Sequence, residues 1–241
     1  MFSPTITTFW DATFATGDTW DGAEGFTLAI HPDRDPLRLV EVLTYPDGTV
    51  AAAVSPAAAA ALGISAGTSL DAVSFRERLS SAGLVLHDPD CLFYVTDEAA
   101  SVLSRGTTPD HVRQLTSADA ALFSRFQSNA PADDLEEAYV ELDHWSVVGG
   151  FVDDELACVA SAYPWRGAAL ADIGVLTLPG FRGRGLARDV VRSIGCTALA
   201  QGLSPQYRCQ PANTGSRAVA AAAGFTYFGQ WELVVDTPSG D

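Results

Sequence analysis

Ala171-Asp-Ile-Gly-Val-Leu-Thr-Leu-Pro-Gly-Phe-Arg-Gly-Arg-Gly-Leu-Ala187 decides how this chain is read. It opens on a short apolar run, Ile173 to Leu178, in which Ile173, Val175 and Thr177 are β-branched. A run of that length, closed by Pro179-Gly180, predicts a strand. The compact loop Arg182-Gly183-Arg184-Gly185 follows, and then Leu186, Val190, Val191, Ile194, Ala198 and Leu199 recur at helical spacing. Two glycines let the backbone turn tightly and gather its N–H groups on one side, where the helix start adds partial positive charge. Arg182, Arg184 and Arg188 add full charges. Strand, Arg/Gly loop and helix N-terminus together describe a site for a phosphate-bearing ligand.

Other phosphate loops fit less well. A dinucleotide-binding Gly-x-Gly-x-x-Gly would need glycine where Arg188 stands, and a Walker loop needs a lysine, which the chain lacks. Working outward, His111–Leu115 predicts a short strand, Ala118–Asn129 a helix capped by Thr116 or Ser117, and Pro131 the start of a second helix. Ser146–Val152 and Leu156–Tyr163 flank Asp153-Asp154-Glu155 as a hairpin. After the loop and its helix, Gln206–Gln210 predicts a strand, Ser216–Ala223 a helix and Thr226–Val235 a terminal strand or hairpin.

The Arg182-Gly-Arg-Gly185-Leu-Ala187 segment resembles motif A of the GNAT superfamily of acyl-CoA-dependent N-acyltransferases, Gln/Arg-x-x-Gly-x-Gly/Ala. The resemblance continues in Asn213-Thr-Gly-Ser216…Gly224-Phe225 and covers roughly residues 111 to 235. It implies an α/β (α+β) GNAT fold with a central mixed sheet over residues 106–236, preceded by a smaller α+β domain over 1–105. The implied activity is acetyl-CoA-dependent N-acetyl transfer to a primary amine of a small molecule or peptide, by direct attack on the thioester. Residue by residue, it places Val175, Leu176 and Thr177 beside the pantetheine arm. Arg182, Gly183, Arg184, Gly185, Leu186, Ala187 and Arg188 surround the pyrophosphate, and Asn213 contacts the cofactor. Two departures stand out: the family's frequent acid, a tyrosine seven residues past the asparagine, is Ala220, and a glutamate base used by some relatives is Arg208. They leave open a second reading, a non-catalytic acyl-CoA-binding module with a regulatory or interaction role.

Acyl transfer from an activated thioester needs chiefly a positioned, deprotonated amine. Asp172, at the start of the cradling strand, is the candidate base by position, with an ordinary polar strand end as the alternative. Glu141, Asp143 and His144 lie where relatives build the acceptor pocket, and Tyr163 and Trp165 are candidates to line it. Tyr207 and Cys209 are placed to approach the thiolate from the neighbouring strand, while Asn213 also suits an ordinary helix cap.

Composition narrows the partners. A net charge of −16, with 47% hydrophobic and 18% charged residues, describes a folded chain unsuited to nucleic acid or anionic membranes. The acidity suits a cationic substrate and equally suits plain solubility. Cys91, Cys158, Cys196 and Cys209 form no metal-ligand spacing, so no metal is expected, and reduced thiols in a cytoplasm are the simplest setting. No apolar run reaches a membrane span, and no signal peptide pattern opens the chain. In the first half, Thr27–Ile30, Leu37–Thr44, Thr49–Val54 and Cys91–Thr96 predict strands, and Ala57–Leu62 and Ser69–Ala82 helices. This half fits a degenerate repeat, a lid or an oligomer surface, and a homodimer stays open.

Overall fold

The computed structural model describes residues 1–34 and 38–234. The chain begins with α1 (Pro4–Phe14), β1 (Asp18–Asp21), β2 (Phe26–Ile30), β3 (Val40–Thr44) and β4 (Val50–Val54). It continues through α2 (Pro56–Ala61), α3 (Ala72–Ser81), β5 (Asp90–Tyr94) and α4 (Asp97–Leu103). Next come β6 (Val112–Gln114), α5 (Ala120–Asn129), α6 (Ala132–Ala138), β7 (Ser146–Val152), β8 (Glu155–Pro164) and β9 (Leu170–Thr177). The rest is α7 (Leu186–Ala200), β10 (Ser204–Cys209), α8 (Thr214–Ala223) and β11 (Thr226–Val234). Leu37 and Val235, which end two of the expected strands, lie outside the described residues.

The chain divides into two compact units, but not at the expected boundary near residue 105. One unit joins Met1–Ile6 to Phe93–Tyr227, and the other joins Thr7–Leu92 to the segment from Phe228 onward. The polar, breaker-rich stretch Ser104–Pro109 is therefore a loop inside the larger unit. The division falls within β5 instead, and each unit takes in a segment from the far end of the chain.

In the smaller unit the strand order is β1-β2-β4-β3-β11. β2 and β4 pair in parallel, and the other neighbours are antiparallel. Phe26, Leu28, Val42 and Val54 form its core with Phe75 and Leu79 of α3. α3 is secured by a capping box in which Asp71 and Ser74 serve each other's backbone N–H groups. Trp10 of α1 stacks on Phe14 and Phe228.

In the larger unit the order is β10-β9-β8-β7-β6, with β9 and β10 parallel and the rest antiparallel. Alternation along the strands sorts the side chains into two faces. Val147, Val159 and Leu176 face α5, where they pack with Phe123 and Phe126. The opposite face carries α7, which buries Leu186, Val190, Val191 and Ile194. A Cβ on Gly150 of β7 would come within 3.0 Å of Val190 and 3.5 Å of Cys158, so that face includes Cys158.

The register assigns the remaining residues. Ser161 pairs with Gly174, Tyr163 with Asp172, and Asp172 with Gln206, so these share the α5/α6 face with Leu176 and Arg208. Ile173, Val175, Thr177 and Tyr207 belong to the α7/α8 face. Gly174 is required where it stands: a Cβ there would meet the Ala138 carbonyl oxygen at 2.0 Å. Its bare backbone lets the end of α6 lie directly on β9.

Candidate functional site

The parallel ladder between β9 and β10 runs from Leu170↔Ser204 to Ile173↔Tyr207 and stops. β9 continues to pair with β8 as far as Thr177↔Cys158. From Gly174 to Thr177, then, one edge of β9 has no ladder partner among the described residues, although β10 itself extends to Cys209. Backbone groups along such an edge need hydrogen-bond partners, and an extended ligand can supply them. Val175 and Thr177 border this opening from the α7/α8 face, and both are half-buried, whereas Leu176 is buried in the core on the other side.

Immediately after β9 the chain makes a single turn at Pro179–Phe181 and enters the Arg/Gly loop. Gly183 and Gly185 have φ of 76° and 81°, in the left-handed region that glycine adopts without strain. A Cβ on Gly183 would touch nothing within 4 Å, so its concave side is open. Gly185 is the N-cap of α7, and no side chain caps that end. The first helical bond of that turn runs from the Asp189 N–H to the Gly185 carbonyl at 3.2 Å. The N–H groups of Leu186, Ala187 and Arg188 therefore project at the positive end of a 15-residue helix.

The three loop arginines are not equivalent. Arg182 donates to Asp134 Oδ2 at 2.7 Å and to the Thr177 carbonyl at 3.1 Å, which ties the loop to α6 and the end of β9. Arg188 pairs with Asp189 at 2.8 Å, and His111 lies 3.2 Å from the other oxygen of that carboxylate. Arg184, exposed above the Phe181 ring, has no carboxylate partner among the described residues and is the loop cation open to an anion. Neither the Asp134 nor the Asp189 carboxylate carries a sequence signal for this role. Their roles depend on segments distant in sequence or on a side-chain direction that spacing does not reveal.

Asn213 caps α8, its Oδ1 accepting the Ser216 N–H at 2.9 Å. That is the ordinary capping role weighed for it, and it is compatible with ligand contact because the residue is exposed. Ser216 in turn lies 2.7 Å from the hydroxyl of Tyr207, the last β10 residue paired with β9. Burial pushes the Tyr207 phenol up, so it stays protonated. Ala220, which stands where the family's frequent tyrosine would be, is fully buried. Cys209 is half-buried at the end of β10.

On the α5/α6 face, Asp172 is not the free carboxylate that a base role calls for. It is buried and accepts from Gln206 Nε2 at 2.7 Å, from Tyr163 at 2.9 Å and from Arg208 through both Nε and Nη2. Both oxygens are committed, and the bidentate guanidinium fixes their orientation. Arg208, which stands where relatives carry a glutamate, is the residue that neutralises it. Its guanidinium also lies 4.2 Å over the Trp165 ring. Burial, with the adjacent Asp172 charge, pushes the Tyr163 phenol up. The network extends inward through Gln206, whose Oε1 accepts from the buried Tyr94 hydroxyl. Neither Gln206 nor Tyr94 carried a sequence signal, because a buried polar pair is invisible until register brings it together.

Beside this network, His144, Tyr139 and Tyr163 form a three-ring cluster with His144 5.0 Å from each tyrosine ring. Glu141 and Asp143 lie on the same exposed loop. Thus the structure gathers the acceptor-side candidates Asp172, Tyr163, Trp165 and His144 on one face. The loop residues 182–188 and Asn213 are associated with the helices of the other, and the opening between β9 and β10 lies between them. Among the described residues, no group of His, Cys, Asp or Glu is placed to hold a metal, and no helix is long and apolar enough to cross a membrane.

A split parallel pair with an uncapped helix start beside it, within a mixed α/β sheet, is the architecture of the GNAT fold. The profile of the family described as GNAT acetyltransferase matches residues 104–234. The chain belongs to that family. Among solved structures, it is similar to a GNAT-family acetyltransferase from Colwellia psychrerythraea, with 17% identity and a TM-score of 0.50. That match covers 68% of this chain and 62% of the other, just under two thirds of its length. A GCN5-related N-acetyltransferase-like protein from Streptococcus suis matches at 15% identity and a TM-score of 0.44, covering 85% of this chain and 88% of that one. The GNAT domain of S. lividans PAT matches at 17% identity and a TM-score of 0.43, over 52% of this chain and 89% of that one. No protein of curated function matches the sequence.

Proposed function

We propose that this protein is an acetyl-CoA-dependent N-acetyltransferase acting on a primary amine of a small molecule or peptide. The observation that carries the reading is the opening of β9 from β10 after Ile173, with an Arg/Gly loop and an uncapped helix start beside it and an aromatic, acid-rimmed surface on the opposite face. The N–H groups of residues 186–188 and the Arg184 side chain hold the pyrophosphate of acetyl-CoA. The unpaired edge of β9 at Val175, Leu176 and Thr177 takes the pantetheine arm through its backbone. The amine enters from the α5/α6 face, with Glu141 and Asp143 favouring its cationic form at the rim.

In the reaction the bound ammonium first loses one proton to water, the free amine nitrogen bonds to the acyl carbon, the carbon–sulfur bond breaks, the nitrogen loses its second proton, and the thiolate takes one proton from water. Asp172 serves as the anchor that orients Arg208 and Tyr163, and the amine's proton leaves to solvent water at the open rim. The test is calorimetry with acetyl-CoA, followed by detection of free thiol across a panel of amines. The Gly185→Asp variant should lose most acetyl-CoA affinity, since it puts a negative side chain at the left-handed cap facing the phosphates. Normal binding by that variant would refute the loop assignment.

A second reading, a non-catalytic acyl-CoA-binding module with a regulatory role, is favoured by two observations. Ala220 is sealed in the core, and Arg208 is consumed by Asp172. It expects binding without thiol release, and turnover with any amine would end it.

A further inference from the structure

The buried Ser161 hydroxyl determines which nitrogen of His144 carries the proton. Ser161 is fully buried on β8, and among the described residues two groups lie within hydrogen-bond distance of its oxygen. One is the Glu141 backbone N–H at 3.3 Å, which can only donate; the other is His144 Nδ1 at 2.9 Å. A buried hydroxyl proton needs an acceptor, and the histidine nitrogen is the one within reach. Ser161 therefore donates to Nδ1, which leaves the proton of the neutral ring on Nε2. Nε2 has no protein partner among the described residues, yet it is not a buried atom, so it is open to solvent. The ring lies between Tyr139 at the end of α6 and Tyr163 on β8, 5.0 Å from each.

From this geometry we infer that His144 is a donor rather than a base: its Nε2–H binds an uncharged oxygen carried next to the acceptor amine, such as an amide carbonyl. The inference rests on the acetyl-transfer reading above and names its substrate class. The groups facing the ring are Ser161 and Tyr163 from β8, Tyr139 from α6, and Glu141 and Asp143 from its own loop. Burial lowers the affinity of this ring for a second proton, against the opposing pull of Asp143 and Glu141, so it stays neutral near pH 7. Those two acids are also why the oxygen must be uncharged: they attract an ammonium and repel a carboxylate. Arg208 does not offset them, because Asp172 already holds it.

The test uses four amines sharing one body: phenylalaninamide and phenylalaninol, which offer an oxygen of the right kind, phenethylamine, which offers none, and phenylalanine, which offers a charged one. In the wild-type protein, kcat/KM expressed per unprotonated amine should be greater for the amide or the alcohol than for phenethylamine by up to about tenfold, the worth of one added hydrogen bond. Phenylalanine should be the poorest substrate. His144→Phe keeps the ring and removes the donor, and should bring the amide-to-phenethylamine ratio to about one. Ser161→Ala should lower the ratio partway by freeing the tautomer. A wild-type ratio near one, or one unchanged in His144→Phe, overturns the inference.

Nitrogen-15 NMR of the full chain gives a readout that needs no turnover. The His144 signals, assigned by their absence in His144→Phe, should show a protonated Nε2 and an unprotonated Nδ1, and the opposite pattern overturns the inference. If no amine is acetylated but the Nε2–H signal shifts with phenylalaninamide and not with phenethylamine, the donor stands and the acetyl-transfer reading falls. If neither amine moves it, the donor role falls.

Discussion

Replacing Asp172 separates an anchor from a base. Its side chain is 6% exposed and accepts hydrogen bonds from three side chains, among them a bidentate guanidinium. Truncation to alanine leaves Gln206 Nε2 and the Arg208 charge without their acceptor. Breaking a fully buried pair costs about 3–5 kcal/mol. Arg208 keeps its contact with Trp165 and its side chain is 22% exposed, so solvent recovers part of that loss. The expected destabilisation is therefore about 2–3 kcal/mol, or a fall in Tm of roughly 4–12 °C for a chain of this size. Asp172→Asn keeps one acceptor and should lose about half as much. A double-mutant cycle with Arg208→Met, followed by urea melts, should return most of the loss as coupling. Turnover should fall in step with stability, and the acidic limb of the pH–rate profile should persist. An Asp172→Asn variant of wild-type Tm that lost this limb and about 10²–10⁴-fold in kcat would refute the anchor and restore the base.

Gly174→Ala should be among the costliest single-methyl additions in the chain. The added carbon would sit 2.0 Å from the Ala138 carbonyl oxygen, and thermal melts should show a loss of at least about 2–3 kcal/mol. Asp119 tests pH linkage: its hydrogen bond with Arg113, aided by the Thr116 backbone, holds its carboxyl down at about 2, against an ordinary 3.8. Because the folded value is the lower one, its stabilisation is complete above the unfolded value and fades as pH falls from about 4 towards 2. Asp119→Asn should therefore be less stable than wild type in melts at pH 6, with the gap closing by about pH 2; a gap independent of pH would contradict the pairing.

The larger unit was legible because its signals are local. The β-branched run of β9, the glycines at 183 and 185, and the stripe of α7 each act through neighbours a few residues away. The hairpin around Asp153-Asp154 was equally plain, and both aspartates adopt positive φ in its turn. The helix α1 was missed because Thr5, Thr7, Thr8 and Phe9 favour strands, yet Ile6, Trp10 and Phe14 recur at helical spacing and are buried. Packing overrode propensity there. The strand β1 is only four residues long and mostly exposed, so no alternation marks it. The role of Asp172 was unreadable for a different reason. Its partners come from β8 and β10, and only the register shows that its position in an open groove is already filled by Arg208.

The pairing of β11 with β3 bears on how this chain is made. Gln230 lies opposite Thr44 and Val234 opposite Val40, so residues 45–225 must leave the ribosome between one strand and its neighbour. During that interval β3 has β4 on one side and an open edge on the other, with Val40, Val42 and Leu43 among its residues. An apolar edge waiting that long for its partner is a template for pairing with other nascent chains. Slow or stalled translation downstream of residue 200 should therefore favour aggregates seeded by the first domain made, even though the defect lies in the last strand.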